Sequence, residues 1–358
     1  MPSDGKRPSS EVPSSTTRST DREGVIPVTK IVNSWNDWDP LKHVIVGKAD
    51  YSMIPPEEPA TSEKVPVDSA MRGQWGPRPT ETVEKANAQL DGYAKILEQH
   101  GITVDRPTPV QWNQQIRTPD FRTDSGMTQM PPRDILLTIG NEIVSSANAF
   151  RCRYFEYLAY WPLMNEYFEN DPEFLWSQAP RPRLTDASFK HNYYDEAIAL
   201  EERLERTAAK DFVTTEVEPM WDAADVLRLG KDLFIQHGLT TNRKAMEWFK
   251  RRYPDLRVHA VNFPGDPYPI HIDATFVPLR PGLIINNPHR AAARLDEQQR
   301  LGGYRVVQFL GVFGVVTPDA HHFTHREVDV GAVDILVLVA HGTTPSGAIK
   351  QRRSCRGS

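Results

Sequence analysis

Cysteine is scarce in this chain of 358 residues: Cys152 and Cys355 are the only two. Two thiols cannot build the disulfide framework on which small secreted domains depend, so a reducing compartment is expected. A surplus of positive charge is also missing. Lys and Arg number 42 against 47 Asp and Glu, a formal net charge of −5. Displacing counterions from phosphates needs the opposite sign, so nonspecific nucleic-acid binding is not expected. A small cationic substrate suits the balance better. Long apolar runs are absent too: the longest, 306–316 and 333–340, fall well short of the roughly 20 residues that cross a bilayer. No membrane partner is expected. With 39% apolar and 25% charged residues, the chain can still build a sizeable core.

Residues 1–24 are half Ser, Thr or Pro, with Met1 and Val12 the only large apolar side chains. Such a segment buries too little apolar surface to offset the entropy of ordering, and it reads as a disordered tail. It has no apolar run for secretion, and its acids argue against a transit peptide, which leaves the cytoplasm. Residues 25–325 then read as one α/β domain, with no Pro/Gly/Ser linker inside. His43–Ala49 has the look of a buried strand and 52–80 of a Pro-rich loop. Glu81–His100 carries apolar residues at helical spacing and meets a stop at Gly101; Arg153–Asn170 and Thr241–Tyr253 are further helical stretches.

One pattern recurs. Asp134, the pair Asp222 and Asp225, and Asp273 each stand just before a strand, a Gly-containing turn and a returning strand. Units of about 40–60 residues repeated in this way suggest radial or stacked repetition. If they surround an axis in equivalent orientations, these carboxylates and His271 meet at one mouth, a site for a cation. The alternative is that each Asp is a turn or cap residue, and that His271, between Ile270 and Ile272, is a buried strand histidine. Spacing of His271 and Asp273 with His321, His322 and His325 matches no recurrent zinc pattern, so no metal or other cofactor is expected.

The stretch Glu218-Pro219-Met220-Trp221-Asp222-Ala223-Ala224-Asp225, followed by Pro269-Ile270-His271-Ile272-Asp273-Ala274-Thr275, resembles the amidinotransferase family. Pro132-Arg133-Asp134, Gly140-Asn141-Glu142, Arg153-Tyr154-Phe155-Glu156-Tyr157, Phe212–Glu216 and Asn287-Pro288-His289-Arg290 match in the same order. The resemblance runs from about Trp38 to Arg290. It implies a pseudo-fivefold α/β propeller of ββαβ units. It also implies transfer of the amidino group of L-arginine to an amine through an amidino-Cys intermediate. Carried over by motif, His271 is the proton shuttle and Asp222 its orienting partner. Asp134 and Asp273 hold the guanidinium, and Arg290 binds the donor's α-carboxylate. These types suit the chemistry: a guanidinium is a planar fork of donors that two carboxylates can grip, and an imidazole can both take and give a proton near neutrality.

The chain departs from the family where the nucleophile should be. There the Cys follows Gly-Gly-Gly-Phe-His, further beyond the His than this chain extends: 358 − 271 leaves 87 residues, and none form that motif. Cys355 lies in a basic end, Arg352 to Ser358, with no cradle, and is not expected to be the nucleophile. Cys152 sits among aromatics, where a packed thiol is expected. Residues 326–358 resemble neither the family nor a settled domain end. The expectation is therefore an incomplete last unit, a truncated or frame-shifted C-terminus, and little or no transferase activity. An inosamine phosphate, as in streptomycin-type aminoglycoside biosynthesis, is the expected acceptor, and a homodimer the candidate assembly. Glycine amidinotransferase, an arginine-deiminase-like hydrolase and a non-catalytic arginine-binding relative are the competing readings.

Overall fold

In the computed structural model of the chain, the described residues are 30–62, 73–190, 193, 198–281 and 283–286. Three further strands, at 305–308, 323–330 and 333–340, are described as backbone. The expected tail at 1–24 lies outside the described residues, as do Arg290, His321, His322 and Cys355.

The chain order begins with β1 (His43–Ile45), β2 (Met53–Ile54), the single turn α1 (Pro59–Ser62), β3 (Gly76–Pro77), α2 (Thr80–Gln99) and β4 (Thr103–Asp105). β1 and β4 pair in parallel across α2. α2 buries Ala94 and Leu97 against Val46 and stops where Gly101 takes φ 75, a left-handed exit that glycine enters without strain. The expected strand at 43–49 is shorter than its apolar run. Past Ile45 only Lys48 adds an isolated bridge, to Gln129. The Pro-rich loop at 52–80 contains the short pair β2 and β3. Next come the short hairpin β5 (Ile116–Arg117) and β6 (Arg122–Thr123).

Two complete units of one design follow. The first is α3 (Pro132–Ile135), β7 (Leu136–Ile139), β8 (Glu142–Ser145), α4 (Trp161–Asn170) and β9 (Leu175–Gln178). After the helix α5 (Leu200–Ala209), which the sequence reading did not single out, the second has β10 (Val226–Leu229), β11 (Asp232–Gln236), α6 (Arg243–Arg252) and β12 (Arg257–Val261). In both, the first two strands are antiparallel and the third returns parallel to the second. A third sheet, β13 (Phe276–Arg280), β14 (Leu283–Asn286) and β15 (Arg305–Gln308), has the same order and directions. β16 (Phe323–Val330) and β17 (Val333–Ala340) form a separate hairpin, so the 325/326 boundary falls inside β16. Among the described residues the sheets are separate and mixed, and they do not close into a barrel.

The hairpins are tight because Gly140 and Gly230, at φ 62 and φ 70, lead two-residue turns between β7 and β8 and between β10 and β11. Strand alternation then joins the units. Val226, Leu233 and Ile235 face Leu137, Ile139 and Val144 of the preceding unit, with Trp221 and Phe249 in the seam. Leu227, Leu229 and Phe234, on the opposite face, meet Ile272 and Ile284 of the following unit. Asn242 caps α6 by accepting from the Ala245 N–H at 3.0 Å, and Lys250, Arg251 and Arg252 suit its last turn. Among the described residues no helix is long and apolar enough to cross a membrane.

Candidate functional site

Each carboxylate expected at the mouth sits on a one-turn helix just ahead of its hairpin, not at the strand start itself. Asp134 lies in α3, where Pro132 fixes the first helical position. Asp222 caps the 3-10 turn Ala223–Asp225, its Oδ1 accepting from the Ala224 N–H at 2.9 Å. Asp273 lies in the 3-10 turn Ile272–Ala274, preceded by His271 at φ 61, ψ 87. Because neighbouring units pack face to face through shared seams, the three turns come to one end of the assembly.

There His271 Nε2 stands 3.4 Å from Asp222 Oδ2 and 3.8 Å from Asp134 Oδ2. At 3.4 Å the first contact is an ion pair with poor hydrogen-bond alignment. Asp273 is near enough to interact electrostatically with His271, Asp134 and Asp222, and its Oδ2 lies 3.9 Å from Arg133 Nε. Arg133 also donates to the carbonyls of Ala223 and Val226, tying the first unit to the second. The expected set of Asp134, Asp222, His271 and Asp273 is thus brought together. The structure says nothing of Arg290 or Cys355, which are outside the described residues.

Two residues were not anticipated in any role. Arg153, 2% exposed, donates from Nη1 to Asp134 Oδ2 at 2.8 Å, passes 3.6 Å from Asp222 Oδ2, and donates from Nε to Glu156 Oε2 at 2.8 Å. Asn148 donates to Asp222 Oδ2 at 3.0 Å. The spacing of Arg153 and Glu156, three apart in an aromatic run, was the available signal. Its reading as one continuous helix hid it: 3-10 turns at Arg151–Arg153 and Glu156–Tyr160 precede α4, which starts only at Trp161 with Pro162 behind it.

Electrostatics follow from these contacts. Burial opposes charge on His271, but Asp222, backed by Asp134 and Asp225, outweighs it and pushes the ring's pKa up to about 9. Burial likewise raises Asp222, yet the charges of His271 and Arg153 prevail and hold it well below the usual carboxylate range. Burial, with Asp222 alongside, pushes Asp225 up to about 7. Asp273 is raised by burial, although Arg133 and His271 pull the other way. Donor atoms of Asp134, Asp222 and His271 all lie within 4.8 Å of one another, a set that could hold a cation. Arg153 already occupies Asp134 Oδ2, and Asn148 occupies Asp222 Oδ2, so a bare divalent ion would have to compete with both. The arrangement instead offers a planar cation an array of carboxylates beside a protonated imidazole.

Cys152 is fully buried in a cluster with Phe150, Leu184, Phe189, Phe212 and Met220. Glu58 accepts from the backbone N–H groups of Arg151 and Cys152 at 2.8 and 2.9 Å. Burial, then the Glu58 charge, pushes the thiol well above its ordinary pKa. A packed thiol was expected there, and a nucleophile needs the opposite setting.

No family model matches the chain. Mitochondrial glycine amidinotransferase of Danio rerio is 41% identical over 273 residues, 75% of this chain and 63% of that protein. The L-arginine:L-lysine amidinotransferase of Pseudomonas savastanoi pv. phaseolicola is 37% identical over 266 residues, 73% of this chain and 70% of that one. Among solved structures, an amidinotransferase of the saxitoxin biosynthetic pathway from Microseira wollei aligns with a TM-score of 0.67 and 34% identity. It covers 77% of this chain and 75% of its own. The inosamine-phosphate amidinotransferase of Streptomyces griseus gives a TM-score of 0.67 and 32% identity, covering 78% and 76%. The chain spans less than two thirds of the mitochondrial relatives, 63% and 64% of the Danio rerio and Gallus gallus proteins.

Proposed function

The chain belongs to the amidinotransferase family, and from that premise we propose that its site takes the guanidinium of L-arginine for transfer to an amine. The observation that carries the proposal is the convergence of Asp134, Asp222 and His271, with Asp273 beside them, from three successive one-turn helices. Asp134 and Asp273 grip the guanidinium from two sides, and Arg290 receives the α-carboxylate. In the transfer, a thiolate forms a bond to the guanidinium carbon while the bond to the ornithine nitrogen breaks. His271, charged near neutrality, gives the leaving amine its proton. It then takes one from the acceptor amine as that amine displaces the thiolate. Asp222 holds the ring for both steps, as in other triads.

Around this site the units complete a pseudo-fivefold arrangement in our reading, with an inosamine phosphate as acceptor and the cytoplasm as compartment. Small molecules are the proposed partners. Among the described residues no thiolate faces this site: Cys152 is buried with a raised pKa. We therefore assign arginine binding to the described residues, with the thiolate of the transfer step to be supplied from outside them. That keeps a non-catalytic arginine-binding relative as the second reading.

Calorimetric titration tests the donor site. L-arginine should bind, L-lysine more weakly because an ammonium is a point charge and not a fork, and Asp273→Asn should weaken arginine. Equal affinity for lysine would overturn the site. Incubation with guanidino-labelled arginine and mass spectrometry tests the rest: stoichiometric labelling of Cys355, lost in Cys355→Ala, would show transfer chemistry.

A further inference from the structure

The second carboxylate of the Asp222-Ala223-Ala224-Asp225 run has no part in the chemistry above, yet it is fully buried beside the first. Its Oδ2 accepts from the hydroxyls of Thr240 and Thr241 at 2.7 and 2.6 Å, and its Oδ1 accepts from the backbone N–H of His271 at 2.6 Å. Thr241 Oγ1 in turn accepts from the backbone N–H of Asp222 at 3.1 Å. One carboxylate therefore joins three segments: the turn ahead of β10, the loop into α6, and the turn ahead of β13.

His271 is the member of this network that needs holding. At φ 61 its β-carbon crowds its own carbonyl, a conformation that a residue other than glycine keeps only where its surroundings impose it. Asp225 Oδ1 takes the N–H of that residue, and the next turn closes from its carbonyl, which accepts from the Ala274 N–H at 3.1 Å. Asp273 lies inside that turn. Fixing His271 at its backbone thus fixes Asp273 as well. Three donors converge and nothing donates back, so a carboxylate, with acceptors on both oxygens, answers the geometry. Its cost is burial next to Asp222.

We propose that Asp225 is a positioning residue that sets His271 and Asp273 against Asp222 by clamping the left-handed backbone of His271. The inference rests on the arginine-binding reading for its consequence, because a loosened turn misplaces a guanidinium-binding carboxylate, but the clamp itself has a separate readout.

The full chain and three variants, Asp225→Ala, Asp225→Asn and Thr240→Val, are titrated with L-arginine by calorimetry while the His271 ring is followed by NMR. Asp225→Ala should weaken arginine about tenfold, the effect of losing one charge-assisted hydrogen bond, and move the His271 resonance. Asp225→Asn should restore affinity to within about threefold, because both threonine hydroxyls can turn to accept from its amide. A merely space-filling role would show that rescue too, but it would leave Thr240→Val, which keeps the shape and removes a donor to Asp225, without effect. A folded Asp225→Ala with wild-type affinity and an unmoved His271 resonance overturns the proposal. If the alanine variant does not fold, Thr240→Val decides, since it removes one donor at constant shape. It should weaken arginine about threefold and shift the His271 signal, and no change in either overturns the clamp. Should the unsubstituted chain bind no arginine, the donor reading fails, and the NMR arm alone still supports or overturns the positioning role.

Discussion

Replacing Arg153 by Met removes a cation and keeps most of the stem's packing. Three carboxylates lose it at once: Asp134 and Glu156, each at 2.8 Å, and Asp222 at 3.6 Å. Breaking a buried ion pair from one side costs about 3–5 kcal/mol, because the remaining charge stays buried and uncompensated. For a chain of this size that corresponds to a melting point lower by about 4–7 °C. The sign with pH follows from Glu156. Burial pushes its pKa from 4.5 up to about 7, and Arg153 opposes the rise. A carboxyl that holds its proton more tightly when folded costs stability as pH climbs through that window, and without Arg153 the window extends higher. Urea unfolding should therefore show a large deficit for Arg153→Met at pH 8 and a smaller one at pH 5.5, where Glu156 is protonated. A deficit under about 1 kcal/mol at pH 8, typical of an exposed ion pair, would refute the reasoning. So would an equal deficit at both pH values.

His271 gives a second pH signature. Its folded pKa of about 9 exceeds the ordinary 6.5, so its contribution, about 3 kcal/mol, is fully present below pH 6.5 and lost as pH rises to 9. Urea unfolding between pH 6.5 and 9.5 should show this decline in the unsubstituted chain and a much shallower one in Asp222→Asn; a flat profile for both would contradict it. In Cys355→Ala, a disulfide reagent should find no fast-reacting thiol until the protein unfolds, since Cys152 is buried with a raised pKa. Rapid stoichiometric reaction would overturn that reading. Gly47→Ala would place a β-carbon 1.8 Å from the carbonyl oxygen of Met130. The backbone must move, and thermal melting should show a loss of about 3 kcal/mol.

The parts of the fold legible in the sequence are those with strong local periodicity. α2 shows because Val83, Ala86, Leu90 and Leu97 recur at helical spacing and Gly101 ends it, although Tyr93 and Ile96 of the same spacing are exposed and Ala94 is buried in their place. The hairpins show because Gly140 and Gly230 mark their turns between apolar runs. α5 escapes notice because its buried side chains are Arg203 and Thr207, not an apolar stripe. The short 3-10 turns escape because nothing in a three-residue span separates them from a strand start, so Asp134, Asp222 and Asp273 read as strand-leading residues.

For the site, the same limits explain what was seen and what was not. Carboxylates ahead of repeated hairpins are visible by their recurrence, and His271 by its motif. Arg153 and Glu156 fall within a matched motif but gain no role from it, and Asn148 falls in none, since their partners stand 19 to 74 residues away or depend on a turn geometry that periodicity misreads. In the structure they decide how charge is arranged. Two Tyr rings from the same run, Tyr154 and Tyr157, pack partly buried under the Arg181 guanidinium at 4.1 and 4.8 Å, while Arg153 and Glu156 pair in full burial. Arg153 engages Oδ2 of Asp134 and leaves Oδ1 without a protein hydrogen bond among the described residues. A carboxylate held on one oxygen by a buried cation is oriented and still able to accept. Those are properties that the proposed grip on a second guanidinium would use, and they come from Arg153, which falls within a matched motif but gained no role from it.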